Sequence, residues 1–351
     1  VSIESSRSRK EPVYASRAWG LGLGAALLAA TVSAQETSAS KLRSDARALI
    51  NAGKPREAAA MIEKAKGQGG EATPELTQLL GVAYYHADEY ARAIELLTPV
   101  ADRLPQDSIE RREAVQVLGL SLYLAGRFAE AVPRLEATRA WAPNNQELAY
   151  VLAQAYIQNR EPAKARTVLA GLFGAAPGSA AAHLFTAQMM IRLEHDELAR
   201  PELEKALALD PKLPRANFLL GQIALFRGRL DEAIAFSEKE LAINPSDAIA
   251  LSQLGDAYVR GSKWDDAIAT LQKSIWLNPF YSAPYILMGR AYMKKDEPAM
   301  AEGMLRRAIQ YDPNNRTAHY VLAQLLQQTG RIDEAKKEFA IAEKLQGQAG
   351  R

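Results

Sequence analysis

Small and apolar positions recur along the chain in pairs of runs, each about long enough for one helix, with polar or glycine-containing breaks between them. Six prolines at 143, 177, 211, 245, 279 and 313 each lie 34 residues from the last. In a frame that places them at repeat position 32, position 20 is Ala93, Ala131, Ala165, Ala199, Ala233, Ala267, Ala301 and Ala335. Position 8 holds Gly81, Gly119, Ala153, Ala187, Gly221, Gly255, Gly289 and Ala323. Small residues recur where two helices approach closely, because a leucine there forces overpacking of about 1–3 kcal/mol. Position 24 is Leu97, Leu135, Leu169, Leu203, Ser237, Leu271, Leu305 and Phe339, the expected knob between layers.

A fixed period of this kind predicts an all-α stack of supersecondary units. Each unit reads as helix A over positions 1–14, a tight turn, helix B over positions 15–28, and a proline stop. Gly126, Gly228 and Gly330 fall at the A–B turn, where positive φ closes a helix. Proline cannot continue the helical ladder, so Pro105, Pro143 and Pro279 end helices B. About nine repeats are expected, at 39–73, 74–111, 112–145, 146–179, 180–213, 214–247, 248–281, 282–315 and 316–346. The 38-residue interval between Pro105 and Pro143 puts four extra residues near Ser108–Arg111, expected to lengthen a helix start or form a bulge. The first unit is degenerate, with its turn in Gly53–Ala58 and its end at Gln68–Gly70; residues 347–351 are expected to fray.

These residues resemble the tetratricopeptide repeat family over roughly 39–346. Of the family pattern of Leu-Gly at positions 7–8, Tyr at 11, Ala at 20, aromatic or Leu at 24, Ala at 27 and Pro at 32, one unit shows Leu254, Gly255, Tyr258, Ala267, Leu271 and Pro279. The next unit repeats it in Gly289, Tyr292, Ala301, Leu305, Ala308 and Pro313. The family's tryptophan at position 4 is replaced by Ala149, His183, Asn217, Leu251, Tyr285 and His319. The resemblance implies an α-solenoid of antiparallel helix pairs forming a right-handed superhelix, with helices A lining a concave groove that takes peptides or protein segments. Relatives that grip a chaperone's C-terminal carboxylate use asparagine at position 6; here Val151, Phe185 and Leu219 stand there, so that clamp is missing.

Charge and composition narrow the function. Alanine and leucine dominate the 351 residues, aromatics are 7%, and the formal net charge is +2. Residues 1–34 hold Arg7, Arg9, Lys10 and Arg17 against Glu4 and Glu11, so the remainder is balanced and has no overall field for nucleic acid. Cysteine is absent, which excludes disulfides, thiolate chemistry and a lipid carried on cysteine. A basic segment, the 14-residue apolar run Trp19–Val32 and then Ser33-Ala34 read as a secretory signal, with cleavage expected after Ala34 and a short tail at 35–38. Fourteen helical residues reach roughly 21 Å, short of a hydrocarbon core of about 30 Å. The expected product is exported, periplasmic or extracellular, without stable membrane insertion after cleavage.

Catalytic chemistry is not evident. There is no phosphate-binding loop, nucleophile elbow or dinucleotide fingerprint. His86, His183, His195 and His319 are the four histidines, and none has a metal-ligand partner at helical spacing; no metal and no small-molecule cofactor are expected. The groove face is expected at positions 2, 5, 9, 12 and 13 of helices A, which gather on one side of a 3.6-residue helix. Its candidate binding residues are Arg192, Arg215, Phe218, Gln222, Phe226, Asp256, Arg260, Arg290, Lys294 and Tyr320. Glutamine at position 9 both donates and accepts, which suits an extended peptide backbone or equally a solvated face. A partner segment with carboxylates beside apolar anchors fits this mixture. The reading is a protein-binding module or scaffold, in cell-envelope assembly or secretion; the alternative is a self-assembling repeat protein that forms homo-oligomers through its stack ends or groove.

Overall fold

The computed structural model describes residues 39–68 and 73–349, all helices and connecting turns among the described residues. The expected signal at 1–34, the tail at 35–38, and Gly69 and Gly70 lie outside the described residues. Packing divides the chain into two units, meeting at Ala142 and Pro143. The first contains α1 (39–51), α2 (Pro55–Gly67), α3 (Pro74–His86), α4 (Tyr90–Ala101), α5 (Ile109–Leu124) and α6 (Phe128–Trp141). The second opens with α7 (Gln146–Gln158), α8 (Pro162–Leu172), α9 (Ala180–Arg192), α10 (Asp196–Leu209), α11 (Ala216–Phe226) and α12 (Leu230–Ile243). It continues with α13 (Ala248–Arg260), α14 (Trp264–Leu277), α15 (Ser282–Lys294), α16 (Pro298–Tyr311), α17 (Arg316–Gln328) and α18 (Ile332–Ala349). Within each unit, consecutive helices pair as A and B and the pairs stack in tandem.

Local chemistry sets the helix boundaries. Thr73, Ser108, Asn145, Ser179, Asp247 and Asn315 each accept a backbone N–H of the helix A they precede, satisfying a donor that the first turn leaves free. α15 lacks such a cap, and α11 replaces it. Arg215 before α11 sits at φ 71°, and the buried Glu240 of α12 accepts the Arg215 and Phe218 N–H groups instead, at 2.7 and 3.1 Å. Helices B begin later than the sequence suggests: α14 spans repeat positions 17–30, leaving a three-residue turn after α13. The insertion before the third repeat is absorbed by α5, which runs for 16 residues from its Ser108 cap. At the other end α18 spans Ile332–Ala349.

The core is a repeated small-against-large contact. Every position-20 alanine is buried, and the leucines of position 24 are fully enclosed. A Cβ added to Gly255 would lie 2.4 Å from Leu271, and one on Gly289 2.7 Å from Leu305, so these glycines exist to admit the leucine of the facing helix. Position 4, where the family has tryptophan, makes a different tie. Tyr285 Oη donates to the Pro279 carbonyl at 2.9 Å and His319 Nε2 approaches the Pro313 carbonyl at 3.0 Å, so a polar side chain anchors the proline turn of the preceding repeat. His183 and His319 are both buried, each with its Nδ1 against a carboxylate one helix away, Glu202 at 2.7 Å and Glu338 at 2.5 Å.

Candidate binding groove

Helices A of the second unit carry the residues that the sequence singles out. Across α11, α13, α15 and α17 lies an open recess of about 430 Å³, with an apolar wall that includes Phe218, Leu225, Ile249 and Ile286. Its polar wall includes Gln253, Asp256, Arg260, Arg290, Asn315 and Thr317. Four of the candidate residues therefore meet there: Phe218, Asp256, Arg260 and Arg290. Their states differ. Arg260 is committed to its own helix and its neighbour, with Nε and Nη2 donating to the Asp256 carboxylate at 3.0 and 2.9 Å and Nη1 to the Leu225 carbonyl at 3.3 Å. Arg290 is exposed and, among the described residues, has no hydrogen bond or ion pair. Asp256 is already neutralised by Arg260, so Arg290 supplies an uncompensated positive charge beside an apolar wall.

The remaining candidates distribute elsewhere. Gln222 and Phe226 line a second, smaller recess with Ile191, Glu194, Asp196 and Arg227, between α9 and the C-terminal half of α11. Phe226 stands 79% exposed at its rim, whereas Phe218, expected as a comparable anchor, is 9% exposed with only part of its ring in the larger recess. Phe226 is the last residue of α11 and stands clear of the packed core, while Phe218 lies in its first turn and is covered. Arg215 lies over the Phe218 ring at 4.9 Å. Arg192 donates to Tyr150 Oη at 3.2 Å, Tyr320 packs edge-on against Phe339, and Lys294 is exposed without a partner among the described residues.

Sequence reasoning missed Gln253. Its Nε2 donates to the Phe218 carbonyl and to Ser237 Oγ, both at 3.1 Å, and fills the space beside Gly221. The signal was present as a pair of exceptions: Ser237 replaces the leucine of position 24, and glutamine replaces an apolar residue at position 6 of the next repeat. Asn315 was also missed, because it sits at the cap of α17; Thr317 stands at groove position 2, on the face that the periodicity marks, and was not singled out.

The first unit treats its helices A differently. Arg47 on α1 donates through both Nη atoms to Glu113 on α5 at 2.6 Å each, and Gln78 on α3 donates to the same carboxylate at 2.7 Å. Three helices A are thus tied to one another by the polar side chains of their shared face. Among the described residues no group of three or more His, Asp or Glu side chains is placed to hold a metal ion.

Three family models, each described as Tetratricopeptide repeat, match residues 122–189 and 292–349, residues 45–108 and 191–248, and residues 250–279. No curated protein matches the chain. Among solved structures, MamA from Desulfovibrio magneticus is 18% identical, covering 48% of this chain and 96% of its own, with a TM-score of 0.44. A thermophilic TPR protein of Thermus thermophilus is 23% identical over 48% of this chain and 91% of its own, with a TM-score of 0.43. YrrB, described as a TPR protein with an unusual peptide-binding site, is 19% identical over 53% of this chain and 94% of its own, with a TM-score of 0.42.

Proposed function

The chain belongs to the tetratricopeptide repeat family, and from that premise we propose that it is a non-catalytic binding module which holds a peptide or protein segment against helices A of its second unit. One observation carries the reading: Arg290 is exposed and, among the described residues, unpaired in a recess that is lined in part by apolar side chains and whose other cation is internally neutralised. A partner segment with a carboxylate beside an apolar side chain meets both requirements. Phe226 and Gln222, in the adjoining recess, extend the same helix face and offer a second anchor.

Affinity and orientation then come from different residues. An exposed charge pair contributes about 0–1 kcal/mol and is screened by salt, while a fully formed charged hydrogen bond reaches about 1.5–3 kcal/mol. Burial of an aromatic side chain is larger and nearly independent of salt. Titration calorimetry with the partner recovered from envelope extract separates the two. Phe226→Ala weakens binding at every salt concentration, and Arg290→Gln weakens it chiefly at low salt. Wild-type affinity in both variants, with the partner still bound, places the contact outside this face.

We also propose a place in cell-envelope assembly or secretion, supported by the expected signal at residues 1–34. N-terminal sequencing of the protein recovered from its native envelope finds Gln35 first on this reading. A mature chain that retains the apolar run and fractionates with cytoplasm contradicts it.

A further inference from the structure

Two large rings project from the C-terminal end of α14 and the loop after it. Trp276 is 83% exposed and Phe280 75% exposed. Phe280 nevertheless rests on a fixed base, edge-on to Tyr311 at 5.5 Å, and Tyr311 in turn meets Tyr285 at 5.4 Å. Phe280 is therefore held outward by the packed aromatics beneath it.

Cations flank it. Lys273 lies one turn before Trp276 on α14, and Arg307 one turn before Tyr311 on α16, so each shares a helix face with the aromatic cluster. They are successive members of a series at repeat position 26, Lys205, Lys239, Lys273 and Arg307. The first two are occupied, Lys205 with Glu202 at 3.2 Å and Lys239 over the Phe236 ring at 5.3 Å. Lys273 and Arg307 are exposed and form no ion pair among the described residues. Of the nearby carboxylates, Glu302 is paired with Arg306 and Arg331, and Asp312 accepts from the neutral Asn315 amide.

We propose that this ridge docks the protein on an anionic lipid surface, with Trp276 and Phe280 entering the headgroup region and Lys273 and Arg307 on lipid phosphates. Protruding rings suit a yielding interface, where aromatic side chains bury their faces at headgroup depth. A folded protein partner would have to supply two sockets matched to them. Unpaired cations beside the rings add attraction to an anionic leaflet. Two weak signals of this kind together give reversible binding where one is marginal. No described helix is long and apolar enough to cross a membrane, so the contact is peripheral. The ridge is formed by helices B and a loop, so this proposal is independent of the groove formed by helices A.

The absence of cysteine permits a direct test on the full chain. An environment-sensitive fluorophore is attached to Gln310→Cys, which lies one turn from Arg307 and leaves all four residues intact, and a control fluorophore to Asp333→Cys, whose side chain is 95% exposed. With vesicles of phosphatidylcholine and phosphatidylglycerol, the label at 310 shifts to the blue and brightens, while the label at 333 does not. Phosphatidylcholine alone leaves both unchanged. In the labelled background, Lys273→Gln with Arg307→Gln lowers vesicle partitioning about thirtyfold, from two surface charges removed. Trp276→Ala with Phe280→Ala lowers it about tenfold or more. All four side chains are exposed, and thermal melts verify that the variants fold; should the aromatic variant unfold, the charge variant decides alone. A silent label at 310 overturns the proposal, as does a response that neither double variant reduces. If the label stays silent and an acidic protein is instead captured in a manner lost in Trp276→Ala, the ridge is a protein site and the lipid reading fails. Arg290→Gln leaves the vesicle response unchanged, which keeps this outcome separate from that of the groove.

Discussion

At the A–B turn one residue in each of the nine pairs adopts positive φ: Gly53, Asp88, Gly126, Arg160, Glu194, Gly228, Ser262, Asp296 and Gly330. All stand at repeat position 15, so the backbone demand is uniform while the residue type is not. Only the glycines disclosed it in the sequence; an arginine or glutamate in the left-handed region carries no such mark, since its side chain faces solvent and its cost is local. Ser262 is exposed at φ 59° and makes no side-chain hydrogen bond. Ser262→Gly is expected to stabilise the protein by about 0.5–1 kcal/mol, the left-handed penalty being partly offset by the greater freedom of glycine when unfolded. Gly228→Ala should destabilise it by a similar amount. Urea midpoints of the two variants, moving in opposite directions, are the check.

Glu202 sets a second residue-scale expectation. Burial raises its pKa, but hydrogen bonds from His183, Arg166 and Lys205 outweigh that and hold it below its ordinary value of 4.5. A depressed carboxylate contributes stability that is complete above its unfolded pKa and disappears as pH falls through the folded one. Wild type and Glu202→Gln should therefore differ by about 1–3 kcal/mol at neutral pH, and the gap should narrow only below about pH 4.5. A gap that persists unchanged into acid would mean that packing, and not the carboxylate charge, ties α10 to α9.

Helix pairing was legible in the sequence because its physical requirement is severe. A Cβ on Gly81, Gly255 or Gly289 would overlap a buried leucine of the paired helix, and few residue types satisfy that constraint. Gly255→Leu is expected to abolish cooperative folding or to lower stability by at least about 1–3 kcal/mol, with a lower urea midpoint, whereas Gln222→Ala, exposed on α11, changes stability by less than about 0.5 kcal/mol. Similar midpoints for both would refute the repeat register. The exceptions were harder to read, because they are solved in pairs across repeats. Ser237 leaves space beside Gly221 that Gln253 fills from the next helix A, and Arg215 uncaps α11 at a point where Glu240 supplies the missing acceptor. Neither substitution has a meaning by itself.

In the whole molecule the same groove-facing positions serve two purposes. Arg47, Gln78 and Glu113 tie three helices of the first unit together, while Arg290 and Lys294 of the second remain free. Periodicity assigns all of them to one face of helices A and is blind to whether a cation there meets a carboxylate of its own chain. That is why Asp256, Arg260 and Arg290 stand together as candidates in the sequence while their unequal availability does not show there. Phe218 shows the same limit, since its position in the repeat marks a helix face and not the depth to which neighbouring helices cover it. The central claim is that a partner lies against α11, α13, α15 and α17. Site-specific photo-crosslinking tests it most directly, with a photoreactive residue at Arg290 and, separately, at the exposed Ala235 on α12. The account predicts a crosslinked partner from position 290 and none from 235; a partner captured from 235 and absent from 290 would contradict it.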